Sequence, residues 1–249
     1  VTHQFQFRLG VAAIAISFAT QPRETSAQSI GQQAAWNGLT LSPAGGLAPL
    51  ARVPADLTAG SSDISLRYGR WRYDPDDAVH DSFGLTWARR LAFAGVRIEI
   101  TGAYALVECP TCSSSLMGGI DLESTLARHG AADATGNQVR ASVDLRLSLG
   151  GARSLGTDRT VAGSTALSLP MNLALPLGSG SSFAISIQPG FGYGHIASPD
   201  FGAGGILPMF GTAISLHTGR RFGVHIGAER VFVDGGPTQV GAGLSWWIR

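Results

Sequence analysis

From Ser61 to the C-terminus, large apolar residues fall on almost every second position, with glycine, alanine, serine, threonine or a charge between them. In "VRASVDLRLSL", Val139, Val143, Leu145, Leu147 and Leu149 alternate with Arg140, Ser142, Asp144, Arg146 and Ser148. In "FAISIQPGFGYGH", Phe183, Ile185, Ile187, Phe191 and Tyr193 alternate with Ala184, Ser186, Gln188, Gly190 and Gly192. Period two is the side-chain repeat of a β-strand, whose residues point to opposite faces in turn. Ten such segments, mostly of 10 to 17 residues, can be marked in this part of the chain.

The inequality of the two faces decides the class. The apolar face is continuous and rich in aromatics, and the other is small or charged. A lipocalin-like soluble barrel inverts this arrangement, and a β-sandwich needs a charged exterior. Only 14% of the residues are charged, against roughly a quarter in soluble domains. Long strands with lipid-compatible outer faces suit a barrel in a bilayer. A tilted strand crosses with roughly 9–11 residues, and closure leaves no backbone group unpaired in lipid. The expected fold is therefore all-β: a transmembrane antiparallel up-and-down β-barrel of about ten strands. Eight or twelve strands stay open, because "GGIDLESTLA" alternates only weakly and two connections break the expected order of lengths, 128–138 being long for a turn and 234–237 short for an outer loop. Connections are expected to alternate between short turns (94–95, 178–182, 218–221) and longer polar loops (74–81, 108–115, 150–158, 198–205).

Upstream of the strands, residues 1–27 have a polar start with Arg8, an apolar run from Leu9 to about Ala19, and the small residues Thr25-Ser26-Ala27. This pattern is that of a secretory signal peptide cleaved after Ala27. Its removal leaves the chain formally neutral. Residues 28–60 hold Pro43, Pro49 and Pro54 with no sustained period, and are expected to form a periplasmic lead-in or plug; Trp36 to Leu41 could add one short strand. Residues 61–249 are the expected barrel.

The chain closes on "VGAGLSWWIR", whose Leu244, Trp246 and Ile248 alternate with small residues. With the signal peptide and the strand pattern, this resembles the small eight- to ten-stranded bacterial outer-membrane β-barrel proteins, over most of the chain. That family's last strand ends in an aromatic residue and serves as an assembly signal; here Arg249 is terminal. The resemblance implies an outer-membrane location, outer-membrane lipid as a partner, and engagement of the barrel assembly machinery by the last strand.

Chemistry-bearing motifs are few. All 18 basic residues are arginine, which removes Schiff-base and phosphate-loop lysine chemistry. A net charge of +1 offers no field for nucleic acid. Cys109 and Cys112 in "CPTC" fall in an expected outer loop and are expected to form a structural disulfide; two thiols alone make no metal site. His195 and Ser198 in "GHIASPD" resemble the His and Ser of lipid A deacylase barrels, but that family spaces them H-x-S followed by Asn. His217, His225 and Glu229 fall on the inner face as a candidate polar cluster. No cofactor and no catalytic residue is expected.

The inner charges are the most informative set: Arg67, Arg90, Arg97, Glu99, Asp121, Glu123, Arg140, Asp144, Arg146 and Glu229. In a narrow lumen they should pair, because unpaired buried charge is costly. Arg89 falls on the lipid face; either it sits at the interface and snorkels, or a bulge at Arg89-Arg90 resets the register. Arg70 and Arg72 continue the lipid face of the first strand past Tyr68, where they either stand at the height of lipid headgroups or pair with Asp74, Asp76 and Asp77 as solvated loop arginines. The function expected is a structural or surface-interaction barrel with no enzymatic activity and an unknown surface ligand. The alternatives are a narrow porin-like channel for small solutes and a lipid-modifying enzyme.

Overall fold

The computed structural model describes residues 61–73, 78–91, 96–108, 114–130, 139–156, 160–178, 180–198, 201–218, 221–232 and 238–248. The proposed signal peptide, the 28–60 segment, Asp74, Asp76, Asp77, Cys109, Cys112 and Arg249 lie outside the described residues. The strands are β1 (Ser62–Tyr73), β2 (Ala78–Arg90), β3 (Val96–Glu108), β4 (Ser115–His129), β5 (Arg140–Ser154), β6 (Val161–Ser168), β7 (Met171–Gly178), β8 (Ser181–Ser198), β9 (Phe201–Thr218), β10 (Phe222–Val231) and β11 (Thr238–Ile248).

These strands close into an antiparallel barrel of ten staves. β6 and β7 are two halves of a single stave, since both pair with β5 on one side and β8 on the other. The break falls at Leu169-Pro170, where proline has no N–H to give to the ladder. The Leu169 N–H still reaches the Pro189 carbonyl at 2.9 Å, and the Asp144 N–H reaches the Pro170 carbonyl at 2.8 Å, so the ladder is carried past the proline. β1 and β11 form the seam, registered from Ser62↔Ile248 to Arg72↔Thr238.

Alternation sorts the residues into two environments. Leu85 is 53% exposed and Ile226 54%, while their chain neighbours Thr86 and His225 are buried. No solvent-facing sheet keeps so many leucines, isoleucines and aromatics exposed, and this exterior is a lipid-facing surface. Aromatic rings mark both ends of it. Tyr68 and Phe83 lie 5.1 Å apart between ring centroids towards one end, and Phe222 and Trp246 lie 5.5 Å apart at the other.

The register corrects three expectations. First, pairing of β2 with β3 runs unbroken through Arg89↔Ile98 and Arg90↔Arg97, so no bulge resets the phase there. Arg89 is exposed on the outer face beside Ser62, near the end of the strand, where a long side chain can reach the interface. The register shifts instead at Thr125/Ala127 in β4 and at Pro176/Gly178 in β7. The second of these leads into a turn with Gly178 and Gly180 at φ 83° and 75°, a conformation that costs glycine nothing. Second, several residues read as long loops are strand: Ala78–Asp81 belongs to β2, and Phe201–Gly205 belongs to β9. Third, the expected contrast in connection length becomes a contrast in height. The β8–β9 hairpin pairs as far as Ser198↔Phe201, while β10 ends at Val231, opposite Met209 in the middle of β9.

A closed ladder has no edge at which detergent can begin to unravel it. The folded protein is expected to change mobility in SDS gels on boiling. Identical mobility of folded, detergent-purified protein before and after heating would contradict closure.

Candidate functional site

The lumen is built from the inward set of each strand. Near the middle, the Glu99 carboxylate on β3 accepts from Arg67 Nη1 on β1 at 3.3 Å and from Arg146 Nη2 on β5 at 3.4 Å. Arg146 Nε also lies 3.3 Å from Glu123 on β4. Asp121 and Glu229 interact electrostatically with the same two guanidinium groups, Arg67 and Arg146. All these side chains are buried. One charge-hydrogen-bond system thus ties β1, β3, β4, β5 and β10 together.

Nearer the end that carries Ser62 and Ile248, called the turn end below, Arg97 pairs with Asp63, and Arg90 Nη2 reaches Thr125 Oγ1 at 3.4 Å. Asp144 accepts from Ser142 Oγ at 2.8 Å and Asn172 Nδ2 at 2.9 Å. Arg140 is buried at the same end of β5. The ten charges selected from the sequence are therefore all buried inside the barrel, six in the system around Glu99 and Arg90, Arg97, Arg140 and Asp144 nearer the turn end. Asp63, Thr125 and Asn172 were missed as partners, although each stands in phase with the inner face.

On the other side of the turn end, His217 and His225 face each other edge-on, with ring centroids 5.4 Å apart. His225 Nε2 is 2.6 Å from Ser245 Oγ, and the His217 ring lies 4.9 Å from Trp247. Gly223 makes room for this group, because a Cβ there would stand 2.8 Å from the Trp247 ring. Glu229 belongs to the Arg67–Arg146 group, so the suggested cluster of His217, His225 and Glu229 is divided. Among the described residues no group of three or more His, Cys, Asp or Glu side chains could hold a metal ion.

The loop end of the lumen holds two apolar clusters beside the buried polar residues His80, Ser82, Ser115 and Gln239. Trp71, Ala166, Leu207, Met209 and Val231 form one buried cluster. Ala105, Met117, Ala152 and Ala162 form another, with Ile196 packed against it. This layer was not legible beforehand. In "ILPMF" both faces are apolar, so Leu207 and Met209 hide among the outward residues Ile206 and Phe210.

Outside, Arg70 and Arg72 sit on the lipid-facing side of β1, both exposed. Arg70 Nε is 3.9 Å from Asp81, which accepts the Tyr68 hydroxyl at 2.6 Å. His195 is half-buried on the outer face of β8, and Ser198 ends that strand. Leu244, Trp246 and Ile248 all face outward on β11.

No family model matches the sequence, and no curated protein matches it. Among solved structures, the chain is similar to the beta domain of the Bordetella autotransporter Brka, at 13% identity over 76% of this chain and 99% of that one, with a TM-score of 0.42. It is similar to Ail, the attachment invasion locus protein of Yersinia pestis, at 11% identity over 77% and 100%, with a TM-score of 0.30. A third is the KdgM porin in complex with disordered oligogalacturonate, at 10% identity over 74% and 98%, with a TM-score of 0.36. These structures are bacterial outer-membrane β-barrels.

Proposed function

We propose that this chain is a bacterial outer-membrane barrel with a structural or surface-interaction role, whose lumen is a packed core and not an open passage. The filled lumen carries the reading. Interlocked charges occupy the middle, and two apolar clusters occupy the loop end. A path for hydrated solutes would have to break both. The ring-marked apolar exterior supports the bilayer, and the seam supports the orientation. Ser62 and Ile248 pair at the turn end, which faces the periplasm in this reading. The outward row Leu244, Trp246 and Ile248 on β11 is then the surface offered to the barrel assembly machinery. The partners are membrane lipid and a surface ligand presented at the loop end; nucleic acid, cofactor and catalysis play no part.

One observation favours the alternative of a narrow channel. Glu229 Oε1 and both amide atoms of Gln239 are buried without a hydrogen-bond partner in the structure, and buried orphans of this kind often mark water. Planar-bilayer recording of the reconstituted barrel decides between the two. The packed-core reading expects no stable unitary conductance in 1 M salt. Reproducible steps would establish the channel instead.

A further inference from the structure

The register brings a third arginine to Arg70 and Arg72. On the seam, Arg72 pairs with Thr238, and Thr238 pairs on its other side with Arg230. One step deeper, Arg70 pairs with Val240. Arg70, Arg72, Arg230, Thr238 and Val240 are all exposed and all on the outer face. Arg72 and Arg230 thus flank one hydroxyl, two strand spacings or about 10 Å apart at the backbone. Guanidinium groups on such long side chains can converge above Thr238. Asp81 engages Tyr68 and Arg70 from the β2 side, and so orients the lower edge of the patch.

The surroundings say what kind of ligand fits. Phe210 is the register partner of Arg230 and is exposed, as are Phe232 and Val240. An anion held by the arginines therefore has apolar surface beside and below it, on the face that meets lipid. A free phosphate would use only the polar part. A phosphorylated lipid would use both: its phosphate oxygens matched by the planar guanidinium forks and its acyl chains laid on the apolar belt.

We propose that Arg70, Arg72, Arg230 and Thr238 form an annular site for the phosphate headgroup of an anionic lipid in the leaflet at the loop end. The site rests on the membrane placement above, and its test separates the two. The full barrel is purified in neutral detergent and mixed with phosphatidic acid or phosphatidylcholine, and retained lipid is counted by native mass spectrometry. The wild-type protein is expected to retain phosphatidic acid in preference to phosphatidylcholine. The variant Arg72→Gln/Arg230→Gln should lose about 30-fold of that preference, as two interfacial arginines contribute. Arg153→Gln, at an exposed arginine elsewhere near the loop end, should leave it unchanged. Inorganic phosphate at a tenfold excess should not displace the lipid. Equal retention by wild type and variant overturns the site, and displacement by inorganic phosphate overturns its assignment to lipid. The mobility shift on boiling, measured on each variant, reports the barrel separately; Arg230→Gln alone provides the test if the double variant does not fold.

Discussion

Glu99→Ala is expected to cost about 3–5 kcal/mol of folding free energy, the usual penalty for breaking a buried ion pair and leaving its partner charged. Glu99 is the hub of the lumen. It takes one hydrogen bond from Arg67, two staves away on β1, and one from Arg146, two staves away on β5. Its removal leaves two buried guanidinium groups sharing Glu123, Asp121 and Glu229. The size of the loss comes from the charges left behind and not from the attraction removed. A triple replacement, Arg67→Met, Glu99→Leu and Arg146→Met, should therefore recover most of it, since an apolar set of similar volume is often neutral or stabilising. Urea unfolding in lipid vesicles, followed by tryptophan fluorescence, measures both. A loss below about 1 kcal/mol, the range of exposed pairs, would show that Glu99 is hydrated and that the lumen is open to water.

The second large effect lies on the opposite side of the wall. Leu85→Arg should destabilise the barrel by about 2–4 kcal/mol, because it places a guanidinium near the bilayer midplane. Leu85 lies in the middle of β2, between Leu66 and Gly102 in register. The chain supplies its own comparison four residues along the same face. Arg89 points to the same exterior but stands beside Ser62 at the turn end. Arg89→Leu is expected to change stability by no more than about 1 kcal/mol, as for charges near the interface. Equal small effects at the two positions, in the same vesicle assay, would contradict a bilayer around the middle of the barrel.

The strand faces were legible in the sequence because a period of two leaves nothing else to decide. Once Leu145 and Leu147 face lipid, Arg146 and Asp144 must face inward. What blurred the count was β4. Its register shifts between Thr125 and Ala127, so Leu126 falls where the alternation changes phase and the segment reads weakly. Glycine hid the upper part of β9, since Gly202, Gly204 and Gly205 have no hydropathy pattern to show that they pair with β8. Partners across the lumen were beyond reach for a different reason. Arg97 meets Asp63 two staves away, and that meeting depends on the stagger of β1, β2 and β3, which no single strand records. The arginine patch was half legible for the same reason: Arg70 and Arg72 share a strand, while Arg230 joins them only through the pairing of β11 with both β1 and β10.

The seam also governs timing. Every other stave pairs with its neighbour in the chain, and those hairpins can form as soon as both arms exist. The Ser62↔Ile248 pairing joins opposite ends of the strand region, so it must wait for β11. Until then β1 and β10 each present a bare row of amide and carbonyl groups, the hazard that open sheet edges carry. Partly formed sheets expose these edges together with the apolar exterior and are prone to clump. A chain lacking β11 is therefore left with two unsatisfied edges where the described strands of the closed barrel have none.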